Sequence, residues 1–478
     1  MRPQIVRLFG VFVFMFALLI VFTSRWTVLD ASSLQNNSLN KLTLIEDLRI
    51  KRGQVLADDG TVLARSVRAP AQTWTRTYPQ GSLFAQPVGY SIAAQGSAAG
   101  LERSDNQYLR GLRGTLGSIF GQLSSHPVGD DVYTTLDPKG QRAAVAALGS
   151  QAGSVVALDP RTGAVKVMYS TPSYNPNYIP AHLGACRSPG CSLLNKATGA
   201  HYAPGSTFKI VTATAAIDSG LYTPNSVING NSPITVSGVP LQNDGNQSWG
   251  PQTFTTAMIN SINTIFAQVA ERVGRARLAA YMKRFGFYRL PPLDYPSGEM
   301  RPSDVFGSNG KLLPPGSGDE DIGRIGIGEG GVTTTPLQMA MVAAAVANGG
   351  KLMTPRLTSR VVNSDGVTLR TIHPSVYSQV MKPSTAHDVT DMMTKVVEEG
   401  TGQAVQLSGI SVAGKTGTAS IGAPGSNLTQ PSFVAFAPAQ NPKIAIAVTI
   451  DLSHGGFGGE VAAPIAKAVL QALLAEAH

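Results

Sequence analysis

A run of uncharged, mostly apolar residues near the N-terminus limits how this chain can fold more than any other feature. It extends from Leu8 to Thr23, between Arg2 and Arg7 on one side and Arg25 on the other. As a helix it would be about 24 Å long, slightly short of the ~30 Å hydrocarbon layer, and flanking arginines can reach the headgroups to cover the deficit. We therefore predict one transmembrane helix, with everything after it outside the cytoplasm.

The basic residues ahead of this helix favour a cytoplasmic N-terminus. A cleaved signal peptide is the competing interpretation, but no clean A-x-A cleavage site follows before Asp30. We expect an uncleaved signal anchor. The chain would then consist of a cytoplasmic tail (1–7), a transmembrane anchor (8–23) and a single extracytoplasmic portion.

The charge of the chain excludes one large class of functions. The formal net charge is +9 and the pI is near 9.5, yet the lysines and arginines are scattered rather than grouped. Nucleic-acid binding would need a basic stripe with interleaved aromatics or a recognisable module, and neither occurs. We interpret the charge as affinity for an anionic envelope surface and expect no nucleic-acid partner.

Only two cysteines occur, Cys186 and Cys191, separated by the turn-forming tetrapeptide Arg-Ser-Pro-Gly. Such a turn can bring the two sulfurs together, so the pair is a candidate disulfide; two free thiols in a loop are the alternative. No cluster of His or acidic residues with ligand spacing stands beside them. The sequence thus implies neither a metal nor an organic cofactor.

Two regions of different pattern follow the anchor. Residues 24–150 are polar and rich in turn signals, with short alternating segments, which predicts a small β-rich module next to the membrane. Residues 151–478 begin with a strand pair, continue with apolar helices and end with three strand candidates and a helix. The simplest assembly is α+β, with an antiparallel sheet built from both ends of this region and flanked by the central helices.

The strongest local feature is the segment Tyr202–Lys209, in which Pro and Gly precede Ser206 at the start of an apolar helix. The N–H groups and dipole at a helix N-terminus favour negative charge on an attacking or attacked oxygen. Lys209 lies three residues further on and shares that face. A lysine held against an apolar helix can lose its proton at moderate pH and activate a serine. Ser206 is the candidate nucleophile, and an ordinary helix cap is the alternative.

The S-x-x-K pattern alone is weak, because it also occurs at Ser38–Lys41 and Ser308–Lys311, neither of which begins an apolar helix. Two further elements support the first in order along the chain. Ser261-Ile262-Asn263 falls at a break between helical stretches, so its side chains can face a cleft. Lys415-Thr416-Gly417-Thr418 lies on an apparent strand, where the missing side chain of a glycine lets a substrate backbone approach.

These three elements resemble the motif set of penicillin-binding proteins and serine β-lactamases. Over nearly its whole length the chain resembles class B penicillin-binding proteins, the monofunctional D,D-transpeptidases of peptidoglycan synthesis, and above all the small class B proteins of actinobacteria. Further segments carry the resemblance: Arg52-Gly53, Gly100-Leu101-Glu102, Leu109-Arg110-Gly111, Thr135-Leu136-Asp137, Pro172–Asn177, Thr335–Gln338, Ala347–Gly350, Gly400-Thr401-Gly402 and Ala463-Pro464-Ile465.

The sequence departs from the family pattern at two places. Asp58-Asp59-Gly60 stands where an Arg-Asn-Gly turn is usual, in the membrane-proximal module. Gly328-Glu329-Gly330 stands where a Gly-Gln-Gly-like loop is common, in the expected lining of the cleft. Neither departure changes the three motifs.

The resemblance implies a role for each motif residue. Ser206 would attack the carbonyl of the penultimate D-Ala of a stem peptide while Lys209 takes its proton, and the terminal D-Ala would leave. Ser261 would relay the proton to the leaving amine, with Lys415 holding the relay electrostatically. The expected substrate-binding residues are Asn263, Thr416, Gly417 and Thr418. Backbone N–H groups of Ser206 and Thr418 would form the oxyanion hole.

The same resemblance implies the partners: stem peptides ending in D-Ala-D-Ala, β-lactams that acylate the serine, and a SEDS-type membrane glycan polymerase with other cell-wall assembly proteins. A β-lactamase is a rival, but the deacylating Glu of the class A enzymes has no recognisable motif here. A non-catalytic scaffold or β-lactam sensor is the other rival; a sensor should have further signalling segments. His201 invites a Ser-His pairing, yet no G-x-S-x-G elbow accompanies any serine, so we interpret it as a turn residue.

Overall fold

The computed structural model of the protein describes residues 2–25, 47–112, 128–179, 191–421 and 426–475. The helices are α1 (Arg2–Ser24), α2 (Ala85–Val88), α3 (Gly100–Ser104), α4 (Asn106–Leu109), α5 (Pro138–Leu148), α6 (Lys196–Gly199), α7 (Lys209–Asp218), α8 (Phe254–Ile259), α9 (Asn263–Val273), α10 (Arg275–Arg284), α11 (Ile322–Ile325), α12 (Pro336–Ala347), α13 (Pro383–Glu398) and α14 (Gly458–Leu474). A 3₁₀ turn, Gly205–Phe208, leads directly into α7.

The strands are β1 (Val55–Leu56), β2 (Val62–Arg68), β3 (Trp74–Thr77), β4 (Ser91–Ile92), β5 (Ser97–Ala98), β6 (Asp131–Thr134), β7 (Gly153–Leu158), β8 (Val165–Thr171), β9 (Val227–Asn229), β10 (Ile234–Val236), β11 (Val239–Leu241), β12 (Pro251–Thr253), β13 (Lys351–Met353), β14 (Thr358–Val362), β15 (Thr368–Thr371), β16 (Val376–Gln379), β17 (Ala413–Ile421), β18 (Leu428–Ala437), β19 (Ile444–Ile450) and β20 (Ser453–His454). They form two large sheets and several two-stranded ladders.

The N-terminal helix α1 is longer than the apolar run that predicted it. It has 23 residues, which corresponds to about 34 Å at 1.5 Å per residue. The shortfall against the ~30 Å hydrocarbon layer therefore disappears, because the basic residues before the run are helical too. Among the residues that the structure describes, α1 is the one helix long and apolar enough to cross a membrane, and its side chains are exposed.

The first large sheet is six-stranded and mixed, in the order β15-β14-β6-β1-β2-β3. The strands predicted from the alternating segments around residues 54–56 and 62–64 are β1 and β2. Two strands, β14 and β15, come from a hairpin at residues 358–371, and β14 pairs antiparallel with β6. A hairpin from the later region thus completes this sheet, a pairing that no local pattern in the sequence indicated.

A buried ion cluster holds this sheet to the two short helices beside it. Glu102 on α3 is fully buried and accepts from Arg76 Nε at 2.5 Å and from Arg52 Nη2 at 2.8 Å. Burial would raise the pKa of Glu102, but the two guanidinium groups outweigh it and hold the pKa below its usual value. Glu102 therefore stays ionised, paired with Arg76 on β3 and with Arg52, which lies just ahead of β1.

The second sheet is antiparallel, in the order β17-β18-β19-β7-β8, with β20 added at β18. β7 and β8 come from the start of the second region and β17 to β19 from its end, as the sequence predicted. Residues of β19 alternate between the faces: Ile444, Ile446 and Val448 pack with α5 and α14, whereas Ala445 and Ala447 belong to the core that includes α12. Small side chains on that face let the Ala-rich helix α12 approach closely.

Asp137 caps α5: its Oδ1 accepts from the Gly140 N–H at 2.8 Å, and Pro138 occupies the first turn. The candidate disulfide between Cys186 and Cys191 lies partly outside the described residues, because residues 180–190 are not among them. It stays a prediction. The S-x-x-K copy at Ser38–Lys41 lies wholly outside the described residues.

Replacing Glu102 with Gln should destabilise the protein by about 3–5 kcal/mol, because two buried guanidinium groups would lose their counter-charge. The measurement is chemical denaturation of the full-length protein in detergent, followed by tryptophan fluorescence, since Trp74 lies on β3 of the same sheet. Glu398→Gln, at an exposed position, is the matched control and should change stability by no more than about 0.5 kcal/mol. Equal unfolding midpoints for the two variants would contradict the prediction.

Candidate active site

Ser206 lies in the 3₁₀ turn before α7 and lines a cleft of about 1010 Å³. The turn begins at Gly205, whose φ of +52° favours glycine and whose N–H donates to the Gly328 carbonyl at 3.0 Å. A Cβ at Gly205 would lie 3.0 Å from the Thr418 carbonyl, so β17 rests against this turn. The nucleophile candidate is thus held between a loop on one side and a strand on the other.

Lys209, at the first position of α7, is fully buried. Its Nζ donates to the Ser261 carbonyl at 2.7 Å, to Ser261 Oγ at 3.1 Å and to Asn263 Oδ1 at 2.5 Å. Burial lowers the pKa of Lys209 to about 7, against the opposing effect of Asp244 and Glu329. A fraction of this amine is therefore neutral near physiological pH and able to accept a proton.

Ser261 lies in the predicted break between two helices, since α8 ends at Ile259 and α9 begins at Asn263. Its φ is +55°, a left-handed conformation that non-glycine residues seldom adopt. This geometry turns both its carbonyl and its hydroxyl toward the Lys209 amine. Strain of this kind persists only where the surroundings hold it, and here three hydrogen bonds to one buried cation do so.

The segment 415–418 lies on β17, as predicted. Lys415 is fully buried; burial first, and repulsion from Lys209 second, lower its pKa well below the usual value. Its Nζ donates to the Thr416 carbonyl at 3.1 Å. The Thr416 and Thr401 hydroxyls are 2.7 Å apart, and Thr418 Oγ1 accepts from the Gly458 N–H at 3.1 Å. Thr416, Gly417 and Thr418 all line the cleft.

Gly417 has a packing role in addition to the one that the sequence suggested. A Cβ built there would lie 2.4 Å from Ser432 Oγ, 2.8 Å from the Pro204 carbonyl and 2.8 Å from Thr207 Cγ2. The missing side chain thus lets β17 approach the turn that carries Ser206. The sequence predicted that the missing side chain makes room for a substrate backbone, but it did not indicate that β17 packs this closely against the Ser206 turn.

The structure brings together all of the predicted catalytic and substrate-binding residues. Ser206, Ser261, Asn263 and the strand residues 416–418 line one cleft, and the two lysines lie buried beside it. Sequence reasoning missed Asp244 and Asn260, for which no motif gave a signal. Glu329 and Thr401 also line the cleft. Thr401 belongs to a segment that carries the family resemblance, and Glu329 belongs to one that departs from it.

A polar network that no sequence pattern indicated fixes the chain immediately ahead of the Ser206 turn. Tyr202 Oη donates to Asp451 Oδ1 at 2.7 Å, and Lys196 Nζ donates to Asp451 Oδ2 at 2.5 Å. The Tyr202 N–H also donates to the Thr334 carbonyl at 2.9 Å. The approach to the nucleophile is therefore tied to the end of β19 and to the residues that cap α12.

The alternative assignments do not gather at this cleft. His201 Nε2 lies 2.9 Å from the Pro302 carbonyl and the residue is exposed, as expected of a turn histidine. The S-x-x-K copy at Ser308–Lys311 lies in a turn next to exposed residues. Within the described ranges, no group of three or more His, Cys, Asp or Glu side chains is arranged to hold a metal ion.

Replacing Gly417 with Ala should slow acylation of the protein by a β-lactam on the order of a hundredfold, because the new Cβ must displace either the Ser206 turn or β17. The rate is measured with a fluorescent penicillin on the full-length protein. Gly318→Ala is the matched control: nothing lies within 4 Å of a Cβ there, and its rate should equal that of the wild type. A Gly417→Ala protein that reacts at the wild-type rate would show that the contact can relax.

Two family models match the chain. One, described as the penicillin binding protein transpeptidase domain, matches residues 153–471, and the other, described as the penicillin binding protein A dimerisation domain, matches residues 52–125. The first range contains every motif residue of the cleft. The second range falls within residues 24–150, the region for which the sequence predicted a small β-rich module.

Relatives and solved structures agree with these matches. The peptidoglycan D,D-transpeptidase PbpA of Mycolicibacterium smegmatis is 33% identical over 94% of this chain and 94% of its own length. PbpA of Mycobacterium tuberculosis is 31% identical over 96% of each. The ceftriaxone acyl-enzyme complex of penicillin-binding protein A from M. tuberculosis superimposes with a TM-score of 0.81 at 30% identity, covering 90% of this chain and 100% of that one.

Fold, motif order and full-length similarity therefore converge on one assignment. The matched relatives are covered almost end to end, so the similarity concerns the whole protein rather than a shared domain. The chain belongs to the penicillin-binding protein transpeptidase family, and it is a D,D-transpeptidase of peptidoglycan synthesis that is acylated by β-lactams.

Proposed function

We propose that Ser206 is the nucleophile of this transpeptidase and that Lys209 is its base. The observation that carries the proposal is the buried Lys209 amine, whose pKa lies near 7 and which shares one helical face with the serine. The Ser206 proton passes to Lys209 Nζ while Ser206 Oγ forms a bond to the carbonyl carbon of the penultimate D-Ala. An ester-linked acyl-enzyme results.

The leaving D-Ala needs a proton, and Ser261 is suited to deliver it. Its hydroxyl lies 3.1 Å from Lys209 Nζ, within hydrogen-bonding distance, and it lines the same cleft as Ser206. The proton taken by Lys209 passes through Ser261 to the amine as the amide C–N bond breaks. Asn263, whose Oδ1 also accepts from Lys209, holds the lysine in place and offers its amide to the peptide of the substrate.

The β17 wall suits the carboxylate of the terminal D-Ala. The Thr416 and Thr418 hydroxyls line the cleft, and Lys415 is buried behind them. A bound carboxylate favours the charged form of Lys415, which burial otherwise disfavours. We assign substrate binding on this wall to Thr416, Gly417 and Thr418, and electrostatic support to Lys415.

We infer the cellular location of the protein from α1, and its macromolecular partners from the family. With basic residues ahead of its apolar run, α1 supports a single-pass anchor whose N-terminal tail (1–7) is cytoplasmic and whose remaining chain, residues 24–478, is extracytoplasmic. The membrane-proximal module, residues 24–150, is the proposed contact surface for a SEDS-type glycan polymerase and other cell-wall assembly proteins. The transpeptidase domain, residues 151–478, would then act on the glycan strands that such a partner makes.

Acylation by penicillin should accelerate as the pH rises through about 7. Lys209 accepts a proton only in its neutral form, and because its pKa is lowered to about 7, the neutral fraction grows across that range. The second-order acylation rate of the full-length protein is measured between about pH 5 and pH 9. Lys209→Arg should lose most of the rate and the rising limb, since a guanidinium stays protonated. A flat wild-type profile across this range would rule out Lys209 as the base.

Intact mass after incubation with a penicillin tests the nucleophile. The full-length protein should gain one covalent adduct that persists, and Ser206→Ala should gain none, because Ser206 is the cleft serine that lies in the turn at the N-terminus of α7, three residues before Lys209. An adduct on Ser206→Ala would place the nucleophile elsewhere. An adduct that disappears within seconds would indicate β-lactamase activity instead.

A further inference from the structure

Glu329 is a carboxylate in the wall of the cleft for which the motifs assign no role. It lines the cleft together with Ser206, in the loop that follows α11. The loop is fixed to the nucleophile: the Gly328 carbonyl accepts from the Gly205 N–H at 3.0 Å, and a Cβ on Gly328 would lie 1.8 Å from the Gly205 carbonyl oxygen. The position of Glu329 is therefore set relative to the Ser206 turn.

Among the described residues, the neighbouring acidic side chains have hydrogen-bond or ion-pair partners, whereas the Glu329 side chain has neither. Asp321 pairs with Arg324 at 2.8 Å, and Asp244 Oδ1 lies 3.4 Å from Asn263 Nδ2. Arg324 also donates to three backbone carbonyls. The Glu329 side chain makes no hydrogen bond or ion pair with any residue in the described part of the chain. Its carboxylate is thus available to a group that enters the cleft.

The two substrates of a transpeptidase bring opposite charges to this cleft. The donor presents a carboxylate, for which the hydroxyls of β17 and the buried Lys415 are suited. The acceptor presents a primary amine, which is an ammonium at neutral pH and must lose a proton before it can attack. Glu329 supplies negative charge beside Lys209, on the wall formed by the loop after α11 rather than on the donor wall formed by β17.

We propose that Glu329 is a specificity-determining residue of the transfer step, and that its carboxylate receives the acceptor ammonium. The proposal rests on the proposed Ser206 acyl-enzyme. Burial raises the pKa of Glu329, while Lys209 and Arg324 oppose that rise, so the carboxylate is a stronger proton acceptor than an exposed glutamate. The departure Gly328-Glu329-Gly330 from the family pattern then alters the acceptor side of the reaction.

The transfer step balances with these groups alone. The ammonium gives one proton to the Glu329 carboxylate and becomes a neutral amine. Its nitrogen forms a bond to the acyl carbon, and the ester bond from that carbon to Ser206 Oγ breaks. A second amine proton passes to Ser206 Oγ, and the third stays on the new amide nitrogen.

The test compares two acceptors on the full-length protein, with a D-alanyl thioester as donor and product detection by mass spectrometry. Glycinamide is mostly an ammonium at pH 7, whereas hydroxylamine is mostly neutral. Glu329→Gln should lower the ratio of transfer to glycinamide over transfer to hydroxylamine by tenfold or more, the range for losing one hydrogen bond between charged groups. The ratio cancels any change in acylation rate.

Asp319→Asn, which removes one negative charge at an exposed position, is the matched control and should keep the wild-type ratio. Glu329→Asp keeps the carboxylate and should give an intermediate ratio, which decides the matter if the Gln variant acylates too slowly to follow. An unchanged ratio, or equal losses with both acceptors, would overturn the role of Glu329. Absence of any acyl-enzyme on the wild-type Ser206 would instead overturn the proposed nucleophile.

Discussion

The burial of an amine is the constraint around which this active site is built. A lysine removed from water loses hydration that only well-placed acceptors can replace, and Lys209 obtains them from a single break between two helices. The break needs Ser261 in a left-handed conformation, and the acceptors hold it there. Helices α7, α8 and α9 are thus fixed relative to one another by the contacts that hold the base, and burial lowers the pKa of that base.

The opposite wall of the cleft depends on close backbone packing rather than on charge. Gly205, Gly328 and Gly417 meet where the nucleophile turn, the loop after α11 and β17 converge, and side chains at any of them would overlap backbone or buried atoms. This packing fixes the β17 hydroxyls and the Glu329 carboxylate relative to Ser206 in one cleft.

Much of this was predictable because the chemistry is local in sequence. The Ser206 turn, the helix break at 261–263 and the strand at 415–418 each follow from a short pattern, and the resemblance put them in order. Asp244 was not predictable, because it reaches the cleft from a 3₁₀ turn beside a small two-stranded ladder whose position is set only by tertiary packing. The close packing at Gly417 was not predictable either, because the atoms that leave no room for a Cβ there belong to other segments of the chain.

The β14–β15 hairpin has a consequence for how the protein is made. Ser359 reaches the carbonyl of Tyr133 on β6 across 226 residues of sequence. During synthesis at ~5–20 residues per second, β6 therefore waits on the order of 10 to 40 s for the strand that will cover its edge. Throughout that interval the edge of β6 presents unpaired backbone groups to which a second nascent chain could add a strand. Early folding of this protein is thus the stage most exposed to wrong strand pairing, and a factor that shields this edge would protect it until translation is complete.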